Sequence, residues 1–190
     1  GIGRSALKNV AAEAIGIGYA AGEQITSGTG NIAIGYQALT DQTTGDDNVA
    51  LGYQALYAVN SQWGDRNVAI GTQAGYGTTS GGDDQGMRNV FIGYRAGYDS
   101  NNTWGIVAIG SEAGMNNMTN ACTGAVVIGN QAGEKITEAS GSTLIGYKAG
   151  STGVYGLTTG KYNTAVGYET LGASAAANIT GDGNTVVGYH

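Results

Sequence analysis

The chain has 190 residues, 36 of them glycine and none proline, and only 12 % are charged, against about a quarter in an average protein. Its net charge is −6 and its eight basic residues are scattered, so a nucleic-acid partner is not expected. No run of about 18 apolar residues is present, and we expect no membrane insertion in this segment.

A nine-residue segment recurs from one end of the chain to the other. It is clearest at residues 31–39 and 48–56, which are almost identical, and eleven copies can be recognised by a central glycine. These glycines are spaced by 15 to 22 residues, which is too short for a repeat of paired helices. They are Gly3, Gly18, Gly35, Gly52, Gly71, Gly93, Gly110, Gly129, Gly146, Gly167 and Gly188.

The repeat predicts an all-β protein, a parallel β-solenoid of about ten coils of 15–22 residues. Residues 1–190 form one repeat domain in this interpretation, without a linker. The chain begins and ends inside a repeat, so we expect it to be a fragment of a longer fibrous protein.

Each repeat opens with a strand that is apolar on both faces. Aliphatic residues precede the central glycine by one position, and aliphatic residues or threonine by three, and we expect these to point into the coil. The residue two before the glycine is never polar, so we expect the opposite face to be covered by another copy of the chain. The predicted interface residues are Ala33, Ala50, Ala69, Phe91, Ala108, Val127, Leu144, Ala165 and Val186.

A turn and a return segment follow each strand. The central glycine predicts a bulge, a positive φ or a close backbone approach, and tyrosine follows it in seven of the eleven copies. The asparagine that opens many copies is expected to bond its own turn. Aliphatic–threonine pairs, such as Ile25–Thr26 and Ile136–Thr137, predict a second short strand with its aliphatic side chain inward.

Aromatic and charged residues outside the core positions are the candidates for binding. Extra residues concentrate at 76–88 and 151–162, and insertions in a solenoid are often binding loops. Such rings either stack on a sugar or anchor an interface, or they only cover the ends of the coil or pack between subunits. The candidates are Tyr57, Trp63, Tyr76, Asp83, Asp84, Arg88, Tyr98, Trp104, Tyr155 and Tyr162.

Catalytic chemistry is not expected. The single histidine, His190, is the last residue, so no nucleophile–histidine pair can form inside the array. The adjacent acids at 46–47 and 83–84 are typical of solvated turns, and no metal or cofactor is assigned, although calcium in the Gly–Asp turns stays open. Cys122 is alone, so no intrachain disulfide can form, and the Thr-x-Thr ranks of an ice-binding surface do not occur.

The core segment resembles the head repeat of trimeric autotransporter adhesins, whose Val-Ala-Ile-Gly signature stands at residues 68–71 and 107–110. The longer form at residues 31–48 is similar to repeats of phage tail fibres. The resemblance implies a left-handed β-roll homotrimer that is extracellular or on the virion surface. It implies attachment to a host cell through a glycan or protein receptor. The alternatives are a bacterial adhesin head on the cell surface and a purely structural shaft or extracellular filament.

Overall fold

The computed structural model describes residues 1–9, 13–58, 64–77, 86–116, 118–152, 155–172 and 180–189. Ten parallel strands form one sheet, in which each strand pairs with the equivalent strand of the next repeat. The register is that of the repeat: Ala33 lies opposite Ala50, and Ala50 opposite Ala69. The predicted parallel β-solenoid is therefore confirmed.

The strands are short, and loops and turns make up most of each coil. The parallel sheet contains β1 (Ala14–Ile17), β2 (Asn31–Ile34), β3 (Val49–Leu51), β4 (Val68–Ile70), β5 (Val90–Ile92), β6 (Val107–Ile109), β7 (Val126–Ile128), β8 (Thr143–Ile145), β11 (Thr164–Val166) and β12 (Thr185–Val187). Strands β9 (Ser151–Thr152) and β10 (Tyr155–Gly156) form a separate antiparallel pair. The one helical turn in the described residues is a 3-10 helix at Asn120–Cys122. Nowhere in the described ranges is a helix long and apolar enough to cross a membrane.

The two faces of the strands are the reverse of those predicted. The residue two before the central glycine points into the coil, where its side chain is fully buried in a single chain. The predicted interface residues Ala33, Ala50, Ala69, Phe91, Ala108, Val127, Leu144 and Ala165 are therefore core residues, and only Val186 in the last strand is partly exposed. The aliphatic residues on either side of them point outward instead. Among these, Ile15 is 51 % and Leu51 42 % exposed.

The narrow coil explains this reversal. Inward side chains of the strand meet those of the turn, and both columns are rich in alanine, so the walls lie close together. A large side chain at one of these two inward positions goes with a small residue at the other. Ala50 is followed by Leu56, whereas Phe91 is followed by Gly97. A Cβ at Gly97 would collide with the Phe91 ring, so the ring occupies the space that leucine fills in other coils.

The central glycines are required by both backbone conformation and packing. Their φ angles lie between 125° and 144°, a region that side chains disfavour. In the coils between Gly18 and Gly167, a Cβ would also meet the carbonyl oxygen of the next central glycine. Two of the three predicted reasons, a positive φ and a close backbone approach, are therefore confirmed.

The return segment is not a strand around Ile25 and Ile136. Ile25, Ile136 and Leu157 are fully buried, as predicted for its aliphatic side chains. Around them the backbone bends, although it still bonds from coil to coil, as from Thr26 N to Thr43 O at 2.9 Å. The prediction that these aliphatic side chains point inward is thus confirmed, and the prediction of a second strand at Ile25–Thr26 and Ile136–Thr137 is wrong.

The opening asparagines form a buried ladder between coils. The Asn48 backbone and side-chain amides both donate to Asn31 Oδ1, at 3.0 and 3.1 Å, and Asn67 repeats this toward Asn48. Asn31 Nδ2 donates to Gly45 O at 2.7 Å, again in the following coil. The predicted bond to its own turn is replaced by bonds to the neighbouring coil.

Candidate functional site

Six of the ten candidate binding residues have described side chains. Trp63, Asp83 and Asp84 lie outside the described residues. Tyr155 is described through its backbone, which pairs with Thr152 in the small antiparallel sheet. The other candidates fall into two groups on different parts of the coil, with Tyr57, Tyr76 and Tyr98 in one and Arg88, Trp104 and Tyr162 in the other.

Tyr57, Tyr76 and Tyr98 form a stack that runs from coil to coil. Their ring centroids are 5.1 and 4.9 Å apart, and the planes are within 10° and 7° of parallel. Both faces of Tyr76 are therefore occupied by other tyrosines, so this ring cannot stack on a sugar. Burial, followed by the neighbouring Tyr98 and Tyr57, raises the pKa of Tyr76, which keeps its hydroxyl neutral near neutral pH.

Arg95 lies at one end of this stack. Its guanidinium carbon is 5.0 Å from the Tyr98 ring centroid and 5.2 Å from that of Tyr94, both within cation–π range. Its Nε donates to Gln73 Oε1 at 2.9 Å, which ends an amide ladder continued by Gln54. Sequence reasoning missed Arg95, and its position two after a central glycine was the available signal.

The tyrosines that follow the central glycines form two further stacks. Tyr19, Tyr36 and Tyr53 stack at 5.2 and 5.3 Å. A second set near the other end of the described chain stacks at 5.0 and 5.1 Å, and it consists of Tyr147, Tyr168 and Tyr189.

Arg88, Trp104 and Tyr162 lie on another corner of the coil. The Arg88 guanidinium carbon is 5.6 Å from the Trp104 ring centroid, and the Trp104 side chain remains 40 % exposed. Arg88 and Tyr162 both have φ of 57° and directly precede the opening residue of a repeat, and Tyr162 is 67 % exposed. Arg66 holds the same position and pairs with Asp47 at 3.9 Å. These exposed rings are the predicted candidates that can still meet a ligand.

The outward apolar face is defined by the residues one and three before each central glycine. It runs along all ten parallel strands, from Ile15 and Ile17 to Thr185 and Val187. An open depression of about 440 Å³ lies at its N-terminal end, and its lining residues are Glu13, Ala14, Ile15, Gly30, Asn31 and Ile32.

Asp46 has a structural role and Cys122 is buried. The first acid of the 46–47 pair bonds the previous coil, because Asp46 Oδ1 accepts the Thr29 amide at 2.6 Å. Burial raises the pKa of the Cys122 thiol, so it is a poor nucleophile at neutral pH. Within the described ranges, no three His, Cys, Asp or Glu side chains cluster as metal ligands. His190 lies outside these ranges.

No protein-family model matches the chain, and no curated protein sequence or solved structure matches it either. Function therefore has to be inferred from the repeat pattern and the surface geometry.

Proposed function

We propose that this chain is a segment of a non-enzymatic, fibrous homotrimer that belongs to a phage tail fibre or receptor-binding protein. It stands outside the virion and mediates attachment to a host cell through a glycan or protein receptor. The observation that carries the proposal is the outward apolar face, which a single chain leaves partly exposed along its whole length.

Two aliphatic ladders of this size are unusual on a monomer. Outward residues such as Ile15 and Leu51 are 51 % and 42 % exposed to solvent. Contiguous apolar patches on soluble monomers rarely exceed a few hundred Å². Ten strands at the usual spacing span about 43 Å, so the partner must be an elongated surface of similar length. A second and third copy in the same orientation supply that surface with matching ladders around one axis.

The proposed position of the receptor contact follows from what the trimer leaves free. The apolar face is used between subunits, and the faces of the stacked tyrosines are used within each chain. Arg88, Trp104 and Tyr162 lie on another corner, where the Arg88 side chain and the Trp104 and Tyr162 rings remain exposed. Three copies of a weak site on one rod add avidity, which suits attachment to a repetitive cell surface.

The first test concerns the assembly. We expect the unaltered chain to sediment as a trimer, and Ile109→Glu to dissociate it, because three carboxylates would be buried at the axis. Ser27→Glu adds the same charge at an exposed turn and is the matched control. A soluble, folded monomer of the unaltered chain would refute the proposed assembly.

The second test concerns attachment. The intact trimer should adsorb to host cells and compete with the whole particle, and Trp104→Ala with Tyr162→Ala should weaken adsorption while the trimer persists. Unchanged adsorption of this double variant would place the contact elsewhere on the chain. No adsorption by the unaltered trimer would favour the structural shaft, which the use of most tyrosine faces inside the stacks also supports.

A further inference from the structure

The column of residues that follow the central glycines is interrupted in the middle of the rod. Tyr94 is the one tyrosine of this column that stacks on no other ring among the described residues, and it is 45 % exposed. Backbone bonds place Thr72 in the coil before it and Ser111 in the coil after it, from Arg95 N to Thr72 O at 3.0 Å and from Glu112 N to Tyr94 O at 2.8 Å. In the tyrosine stacks these neighbouring positions hold tyrosines, whereas beside Tyr94 they hold the hydroxyl residues Thr72 and Ser111.

The adjacent column is interrupted at the same level. Arg95 and Glu112 hold equivalent positions on consecutive coils, yet neither belongs to the two ion pairs of the described residues. Arg95 Nε bonds back to Gln73 at 2.9 Å, whereas Glu112 Oε2 accepts from Gln131 Nε2 in the following coil at 2.7 Å. The amide ladder is thus interrupted between Arg95, which bonds to the preceding coil, and Glu112, which bonds to the following one.

We propose that Tyr94, Arg95, Ser111 and Glu112 form a binding site for a neutral pyranose unit of a surface saccharide. The inference rests on the proposed attachment function and names a ligand class and a site for it, distinct from the corner that carries Trp104. The apolar face of the sugar packs on the Tyr94 ring, while its hydroxyls accept from Arg95 and donate to Glu112.

The chemistry of the four residues favours a saccharide over other ligands. An exposed aromatic ring provides the apolar contact, and a cation, a carboxylate and a hydroxyl supply both donors and acceptors within a short distance along the rod. A pyranose offers this combination, because it has a C–H face and a rim of hydroxyls that both donate and accept. The site carries one positive and one negative side chain whose charges offset each other, so it offers an acidic sugar no net attraction.

The repeat supplies variants that close the site with residues already found at these positions. Ser111→Tyr places a ring beside Tyr94, where other coils have tyrosine, and continues the stack over the proposed sugar position. Asn130→Tyr is the matched control, because it adds a ring in the same column one coil further on. Glu112→Gln and Arg95→Gln restore the amide that Gln54 and Gln73 provide in the ladder, so the fold should accept them.

The experiment measures binding of the assembled protein to an immobilised panel of neutral oligosaccharides and their sialylated and sulfated counterparts. We expect binding to neutral members, unchanged in Asn130→Tyr and reduced by about tenfold or more in Ser111→Tyr and Glu112→Gln, from loss of a ring contact or of a charged hydrogen bond. Assembly state and host-cell adsorption are measured on the same samples.

The remaining outcomes overturn the inference. Binding confined to acidic saccharides excludes the neutral sugar, and neutral binding that survives Ser111→Tyr and Glu112→Gln excludes this site. Host-cell adsorption without binding to any saccharide on the panel overturns the inference while the proposed attachment function stands. Absence of both adsorption and saccharide binding removes the proposed function as well.

Discussion

At the scale of single residues, the sizes of the two inward residues of a coil, two before and four after the central glycine, depend on each other. No coil has a large residue at both positions: leucine four after the central glycine goes with alanine or glycine two before it, as in Ala33 with Leu39, whereas Phe91, Val127 and Leu144 are each followed by glycine. Burial of all these side chains shows that both positions share one narrow interior. This correlation is visible in the sequence and would have identified the inward face, whereas strand alternation alone could not, because both faces are apolar.

The Phe91–Gly97 pair gives a prediction about packing. Phe91→Ala should lower the free energy of unfolding by about 3–5 kcal/mol, because the ring is fully buried and leaves a cavity. Adding Gly97→Leu should restore part of the loss, since Leu56 has φ of 49° at the same position beside Ala50. Denaturant unfolding at fixed protein concentration measures both effects. No recovery in the double variant would contradict the paired-size explanation.

At the scale of the repeated elements, stability comes from ladders that cross from coil to coil. The position of the opening asparagine was evident from the sequence, but its hydrogen-bond partners were not, because a ladder exists only once the coils are in register. The same holds for the tyrosine stacks, whose members lie 17 to 22 residues apart in the chain. What could be predicted was the strand and its spacing, since both depend on local pattern.

The asparagine ladder gives a prediction at this scale. Asn67→Ala removes the bond to Gly86 O at 2.7 Å and leaves the buried Asn89 amides without their acceptor. Buried unsatisfied groups cost about 1–3 kcal/mol each, so the loss should be several kcal/mol. Asn184→Ala is the matched control at an exposed end of the ladder, where the loss should be smaller. Equal melting temperatures of the two variants would refute a dominant role of the ladder.

At the scale of the whole molecule, the solenoid is a thin rod in which alanine is the commonest inward residue of the strands and the aliphatic residues beside it face outward. The parallel repeat architecture could be predicted because the period and the strand pattern recur along the chain. The face that forms the proposed subunit contact could not be predicted, because the inside of a narrow coil and a subunit contact select for similar apolar residues. In the proposed assembly, the subunit contact is formed by the exposed ladders, whose residues the sequence placed inside.

Two adjacent residues of β3 allow packing inside the coil to be tested separately from the proposed subunit contact. Ala50 is fully buried in its own coil, and Leu51 is 42 % exposed on the outward face. We expect Ala50→Glu to unfold the chain, because a carboxylate would be enclosed in the narrow interior without a partner. Leu51→Glu should instead leave the coil folded and break the assembly, because its charge reaches water once the subunits separate. Circular dichroism follows the fold and sedimentation the assembly. If both variants unfold, the coil needs its neighbours to be stable; if Leu51→Glu assembles normally, the outward face is not the subunit contact.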